Sequence, residues 1–161
     1  MALKGDRYEI IQEIAFFMDQ VAERGGCVCQ YTAGSGAALD QAAHAVQYLA
    51  APSGYTPMGI LLNDVVNLDL TRQHINFHKN ETQKGGKVTI LREGWVVTNM
   101  IYPGVTPAVQ NPCYVSLSGY LSTSAQSDES TSGVSKPIGR FESTKDEDGY
   151  CKVYVKLPSV A

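Results

Sequence analysis

Apolar and polar positions alternate most clearly near the C-terminal end of the chain. In Tyr150–Leu157, residues Cys151, Val153, Val155 and Leu157 fall on one side and Lys152, Tyr154 and Lys156 on the other. That period of two predicts a half-buried antiparallel strand. Ile138–Ser143 precedes it as a second strand, and the intervening Lys145-Asp146-Glu147-Asp148-Gly149 ends in Asp-Gly, a strong hairpin signal. Lys87–Leu91 and Trp95–Met100 are β-branched runs that predict strands flanking a turn at Arg92-Glu93-Gly94, with Val88 and Ile90 sharing a face. Trp95, the only tryptophan, lies inside this strand pattern, which assigns it to core packing. Cys27–Thr32 reads as a short strand, and Gly59–Leu70 is rich in Leu and Val with Asn and Asp interrupting it.

The N-terminal half is less regular. Tyr8, Ile11, Ala15, Met18 and Ala22 recur at helical spacing, yet Ile10, Ile11, Ile14, Phe16, Phe17 and Val21 make the segment apolar nearly all round. Such a segment is either buried or covered by a neighbour. Gly25-Gly26 ends it, so residues 1–26 are drawn as an N-terminal arm and 27–161 as a β-rich domain. The alanine-rich run Ala37–Ala51, closed by Pro52, favours a helix by propensity but lacks an aliphatic stripe. Residues 122–136 form a polar, Ser/Thr-rich loop that cannot bury enough apolar surface to order itself. The expected fold is mainly β: a compact antiparallel β-sandwich or small barrel with an N-terminal arm and room for one short helix.

Composition narrows the function classes. A chain of 161 residues is one ordinary domain, able to build a core without disulfide or metal staples. Charged residues are only 18% and the formal net charge is -3, which excludes a basic nucleic-acid footprint and a polybasic membrane binder. No stretch approaches the roughly 20 apolar residues that span a bilayer, and no signal-peptide pattern opens the chain. A soluble product made inside the cell is expected. Cys27, Cys29, Cys113 and Cys151 match no zinc spacing and read as small buried apolar residues.

No catalytic set emerges. Gly34-Ser35-Gly36 lacks the third small residue of a dinucleotide loop, and no Gly-Lys-Ser/Thr is present. His74 and His78 are four apart, but Ile75 stands where a metallohydrolase would carry glutamate. In an extended chain the two would lie about 13 Å apart, too far to share an ion. Asp146 and Asp148 belong to a hairpin tip whose glycine comes too early for a calcium loop. Asp64 and Asp69 also lie in turn-like contexts. The expectation is therefore no enzyme, no metal and no cofactor.

The stretches Pro57–Asn99 and Pro137–Pro158, with RGGCVCQYTAGSGAALDQ near the N-terminus, resemble the capsid decoration (cement) proteins of tailed bacteriophages. The likeness is carried by Gly59, the NDVVNLD run, Arg72-Gln73-His74, Asn76-Phe77-His78-Lys79, Gly85-Gly86, Gly94-Trp95 and Asp146–Gly149. Cys27 and Cys151 depart from the expected Val or Ala. The resemblance implies a structural virion protein, made in the host bacterial cytoplasm, that binds the outer surface of the icosahedral head. It implies the major capsid protein as partner and a homo-oligomer, trimer favoured over dimer, with no nucleic acid and no membrane.

Such a protein needs adhesive surface and no active site, and nine tyrosines suit that role. Candidate capsid contacts are Ile10, Ile14, Phe16 and Phe17 in the arm, and Arg72, His74, Phe77, His78 and Lys79. Two rivals share parts of the pattern: a small β-rich host-surface or carbohydrate-binding module, and more remotely a small metal- or thiol-dependent hydrolase.

Overall fold

A computed structural model describes residues 3–31, 45–64, 81–82, 84–125, 127–128 and 131–157. The strands are β1 (Tyr8–Met18), β2 (Ala22–Glu23), β3 (Cys27–Tyr31), β4 (Ala45–Gln47), β5 (Pro57–Asp64), β6 (Glu81–Thr82) and β7 (Lys87–Thr98). They continue with β8 (Pro112–Val115), β9 (Leu121–Ser122), β10 (Ser127–Asp128), β11 (Thr131–Val134), β12 (Pro137–Phe141) and β13 (Cys151–Lys156). A single 3-10 turn, Leu117–Gly119, separates β8 from β9. The protein is mainly β.

Nine strands form one sheet in the order β1-β4-β3-β5-β7-β13-β12-β8-β9, and β1 also pairs with β7. That extra pairing closes β1-β4-β3-β5-β7 into a small five-stranded barrel. Phe16, Met18, Val28, Val46, Met58, Leu61, Val88 and Ile90 fill it, with every strand of the ring contributing. The remaining strands fold over the outside of β3 and β5. There Cys27, Cys29, Ile60 and Leu62 meet Cys113, Val115, Leu121, Ile138, Phe141, Cys151, Val153 and Val155 in a second, larger core. Each Val, Leu or Ile fully buried contributes roughly 1.5–3 kcal/mol relative to exposure, so these two layers hold the molecule together.

Strand β7 joins the layers. One side carries β1, from Phe17 opposite Lys87 to Tyr8 opposite Trp95. The other side carries β5 over residues 88–91 and then β13 over 93–98. The expected turn at Arg92-Glu93-Gly94 is not made: Lys87–Thr98 is one strand. Gly94 has φ 148°, and a Cβ there would run into the Tyr8 carbonyl oxygen. Glycine thus marks a bulge where β1 approaches closely, not the break in pairing that its presence suggests. Gly59 is a second such point, at φ 142° against the Leu91 carbonyl. It lets Met58 face the barrel while Ile60 faces the outer core.

The N-terminal segment is a strand, not a helix. Phe16 and Met18 point into the barrel with Phe17 half-buried between them, a period of two that overrides the looser helical spacing. Nor do Gly25 and Gly26 uncouple it from β3. Gly25 N–H donates to the Leu61 carbonyl, Leu61 N–H donates to Gly26, and Thr98 Oγ1 donates to the Gly25 carbonyl. The segment drawn as an arm is thereby stitched into the sheet.

Within Ala37–Ala51, residues Ala45–Gln47 are strand β4, because Val46 fills the barrel and β4 bridges β1 and β3. The rest of that run up to residue 44 lies outside the described residues. The Ser/Thr-rich stretch contributes the short pair β10–β11. The Cys151–Leu157 alternation and the hairpin at Asp146–Gly149 match their expectation.

Candidate binding face

Where β7 pairs with β13, Val96, Val153 and Val155 point inward and are fully buried. Alternation therefore turns Trp95 and Tyr154 away from the core, where both are half-buried. Cross-strand register then builds a continuous row: Tyr8 lies opposite Trp95, Trp95 opposite Tyr154, and Tyr154 opposite Arg140. The Tyr8 and Trp95 rings are 5.7 Å apart, tilted by 56°, and the Trp95 and Tyr154 rings 4.8 Å apart, tilted by 41°. The Arg140 guanidinium lies 5.3 Å from the Tyr154 ring centre. Aromatic pairs of this kind contribute about 0.5–1.5 kcal/mol beyond their burial.

Polar groups fix the row from below. Trp95 Nε1 donates to Glu142 Oε2 at 2.8 Å, and Arg140 Nη2 donates to Glu142 Oε1 at 3.1 Å. Tyr154 donates its hydroxyl to Glu93 Oε1 at 3.2 Å, and Lys156 Nζ stands 3.8 Å from the same oxygen. Each carboxylate has a cation beside it, so the face carries area and hydrogen-bonding groups with little net charge. An open groove of about 590 Å³ continues from the row, lined by Val109, Gln110, Arg140, Phe141 and Glu142. Gln110 is held there at φ 72°, with its N–H on the Phe141 carbonyl at 2.8 Å.

Sequence pattern alone misses this row, because it assigns Trp95 to the core. The available signal is the outward position of Tyr154 combined with hairpin register, which sets Arg140 opposite it; the Trp95 neighbour comes only from the non-local pairing of β13 with β7. Of the sequence candidates, Ile10 and Ile14 are half-exposed on β1, beside Tyr8. Phe16 is buried in the barrel and closed to any partner. Phe17 is half-buried, with the Lys87 ammonium 5.6 Å from its ring centre. Arg72, His74, Phe77, His78 and Lys79 lie outside the described residues, as do Gly34-Ser35-Gly36 and Asp69.

The four cysteines are free and buried. Desolvation raises their thiols, Cys29 to about 12 and Cys27 and Cys113 well above their ordinary value. They are therefore neutral thiols acting as small core residues. Among the described residues, no group of three or more His, Cys, Asp or Glu side chains is placed to hold a metal ion. No helix among them is long and apolar enough to cross a membrane. What the arrangement offers chemically is contact area: stacked rings, a guanidinium and paired carboxylates on one sheet face. Comparison of the sequence with protein-family models and with curated proteins finds no match.

Proposed function

We propose that the protein is a non-catalytic binding module of the virion that attaches to the outer surface of an icosahedral phage head and stabilises its capsid lattice. The observation that carries this reading is the outward-facing row Tyr8–Trp95–Tyr154–Arg140, exposed at Tyr8 and Arg140 and half-buried at Trp95 and Tyr154, adjoined by the half-exposed Ile10, Ile11 and Ile14. Tyr, Trp and Arg dominate contact energetics at protein interfaces, and an apolar patch rimmed by polar groups marks an interaction surface. The resemblance of Pro57–Asn99 and Pro137–Pro158 to decoration proteins names the partner, the major capsid protein. The test is a pull-down on undecorated heads with Trp95→Ala and Tyr8→Ala beside the native protein. Retention weakened at least tenfold by either change supports the reading. Full retention by both, or none by the native protein, rejects it.

A carbohydrate-binding reading is favoured by one specific observation. Trp95 is half-buried and outside both cores, and its indole N–H is bonded to Glu142, which lines the groove, so aromatic area and carboxylates converge where a sugar ring could stack. Glycan-array binding by the free protein, lost in Trp95→Ala, would select this alternative.

A further inference from the structure

Beyond Tyr154 the row ends at a cation that two contacts hold in place. The Arg140 guanidinium lies beside the Tyr154 ring, and its side edge, Nε and Nη2, donates to Glu142 Oε1 at 3.3 and 3.1 Å. Glu142 is committed on both oxygens, because Oε2 accepts from Trp95 Nε1. What the guanidinium has left is its end edge, Nη1 with the second Nη2 hydrogen, a pair of parallel donors that matches a carboxylate. Arg140 and Glu142 line the open groove together with Val109 and Gln110. Two backbone bonds pin that second wall: Gln110 N–H donates to the Phe141 carbonyl and Phe141 N–H to the Asn111 carbonyl, both at 2.8 Å. We infer that the groove binds an acidic segment of a protein partner and takes one carboxylate on the end edge of Arg140. The inference rests on the capsid reading for the partner and adds the chemistry of the contact.

Charge and shape select this occupant. Lys152 is exposed on β13 next to Glu142, whose N–H donates to the Lys152 carbonyl. This corner of the sheet therefore sets two cations, Arg140 and Lys152, against one carboxylate already in use. A further anion is attracted here although the whole chain carries a net charge of -3. An acidic sugar would also bring a carboxylate, but its ring gains most by stacking on an open aromatic face. The groove offers none, since Phe141, its one aromatic lining residue, is fully buried. Tyr154 beside it has the indole 4.8 Å away on its β7 side and the guanidinium 5.3 Å away on its β12 side. With both sides of that ring taken, the groove suits an acidic peptide better than a sugar.

The full chain is tested on undecorated heads and on beads carrying poly-L-glutamate, at low ionic strength so that screening does not mask the contact. The native protein should bind both. Arg140→Gln should weaken both by about tenfold or more, and Arg140→Lys nearly as much, because an ammonium keeps the charge but not the paired donors. Lys152→Gln should give a smaller loss. Melts of the three variants should stay close to the native one, since both side chains are exposed. Retention on heads that neither Arg140 variant weakens overturns the inference and leaves the capsid reading standing. Binding to poly-L-glutamate that Arg140→Gln abolishes, with no retention on heads, rejects the capsid reading and keeps the site. A native protein that passes over poly-L-glutamate overturns the site. So does a preference for polygalacturonate beads, which would give the carboxylate to a sugar.

Discussion

Trp95 and Glu142 sit two strands apart, on β7 and just beyond β12, yet the indole N–H reaches the carboxylate at 2.8 Å across the Tyr154 ring between them. The bond spans β13 and ties the barrel strand to the outer layer. It also fixes which edge of the indole faces solvent. Replacing Trp95 by Phe keeps a ring over Tyr154 but leaves Glu142 with Arg140 alone. The expected loss is about 1–2 kcal/mol, as for a hydrogen bond to a charged group in a half-exposed setting. Glu142→Gln should cost less, because the amide oxygen still accepts from Trp95. Chemical denaturation of the two variants checks the order. Equal costs would mean that the ring stack, not the bond, orients Trp95.

The register of the C-terminal hairpin gives a sharper contrast. Val153 is fully buried opposite Val96, whereas Lys152 is exposed. Val153→Asp would bury a carboxylate with no cation near it, and a loss of about 3 kcal/mol or more is expected. Lys152→Asp should stay within about 0.5 kcal/mol. Thermal melts of both proteins decide the point, and equal costs would displace the register by one residue.

That contrast also shows what the sequence makes legible. The β13 pattern is readable because one strand face is wet and the other dry, so each residue's polarity reports its side. In β1 the pattern fails. Register shifts against β7 fall between Glu9 and Ile11, between Ile11 and Gln12 and between Glu13 and Phe16, and they scramble the period of two over the residues that remain exposed. Gly94 shows the opposite limit. In sequence its missing side chain looks like a turn, whereas in the fold it accommodates a carbonyl from β1, a strand almost ninety positions earlier in the chain. Trp95 escapes correct placement for a related reason. A lone large apolar residue in a strand says nothing of which face it takes until the neighbouring register is known.

The charges at the hairpin tip set a pH dependence. Lys4 Nζ donates to Asp146 Oδ2 at 2.8 Å, and Asp146 Oδ1 accepts from the Tyr150 and Asp148 N–H groups. The lysine holds the Asp146 carboxyl below its ordinary value, and the aspartate holds Lys4 above its own. A depressed carboxyl stabilises the fold above its unfolded pKa, about 4, and loses that contribution as pH falls through the folded value. A raised lysine stabilises below about 10 and loses its share as pH rises through the folded value. The native protein should therefore melt slightly above Asp146→Asn between about pH 5 and 9, with the gap closing at both extremes. The gap should be small, because both groups are largely solvated. A gap that widens in acid would contradict the pairing.

The last expectation concerns the first strand and separates its two roles. Residues 8–18 give the barrel Phe16 and Met18 while leaving Ile10 and Ile14 half-exposed. Truncating a buried Phe to Ala typically costs about 3–5 kcal/mol, against a total stability of roughly 5–15 kcal/mol for a domain. Deleting residues 1–24 removes both core side chains together with every hydrogen bond that β1 makes to β7. The truncated chain is expected to be unfolded or insoluble. Phe16→Ala should fold with a Tm lowered by several degrees. Ile10→Ser with Ile14→Ser should melt close to the native protein, since neither side chain enters a core. Far-UV circular dichroism and melts of the three variants distinguish the contributions. A truncated chain that melts cooperatively near the native temperature would make β1 a detachable arm. It would also show that the barrel closes without Phe16 and Met18.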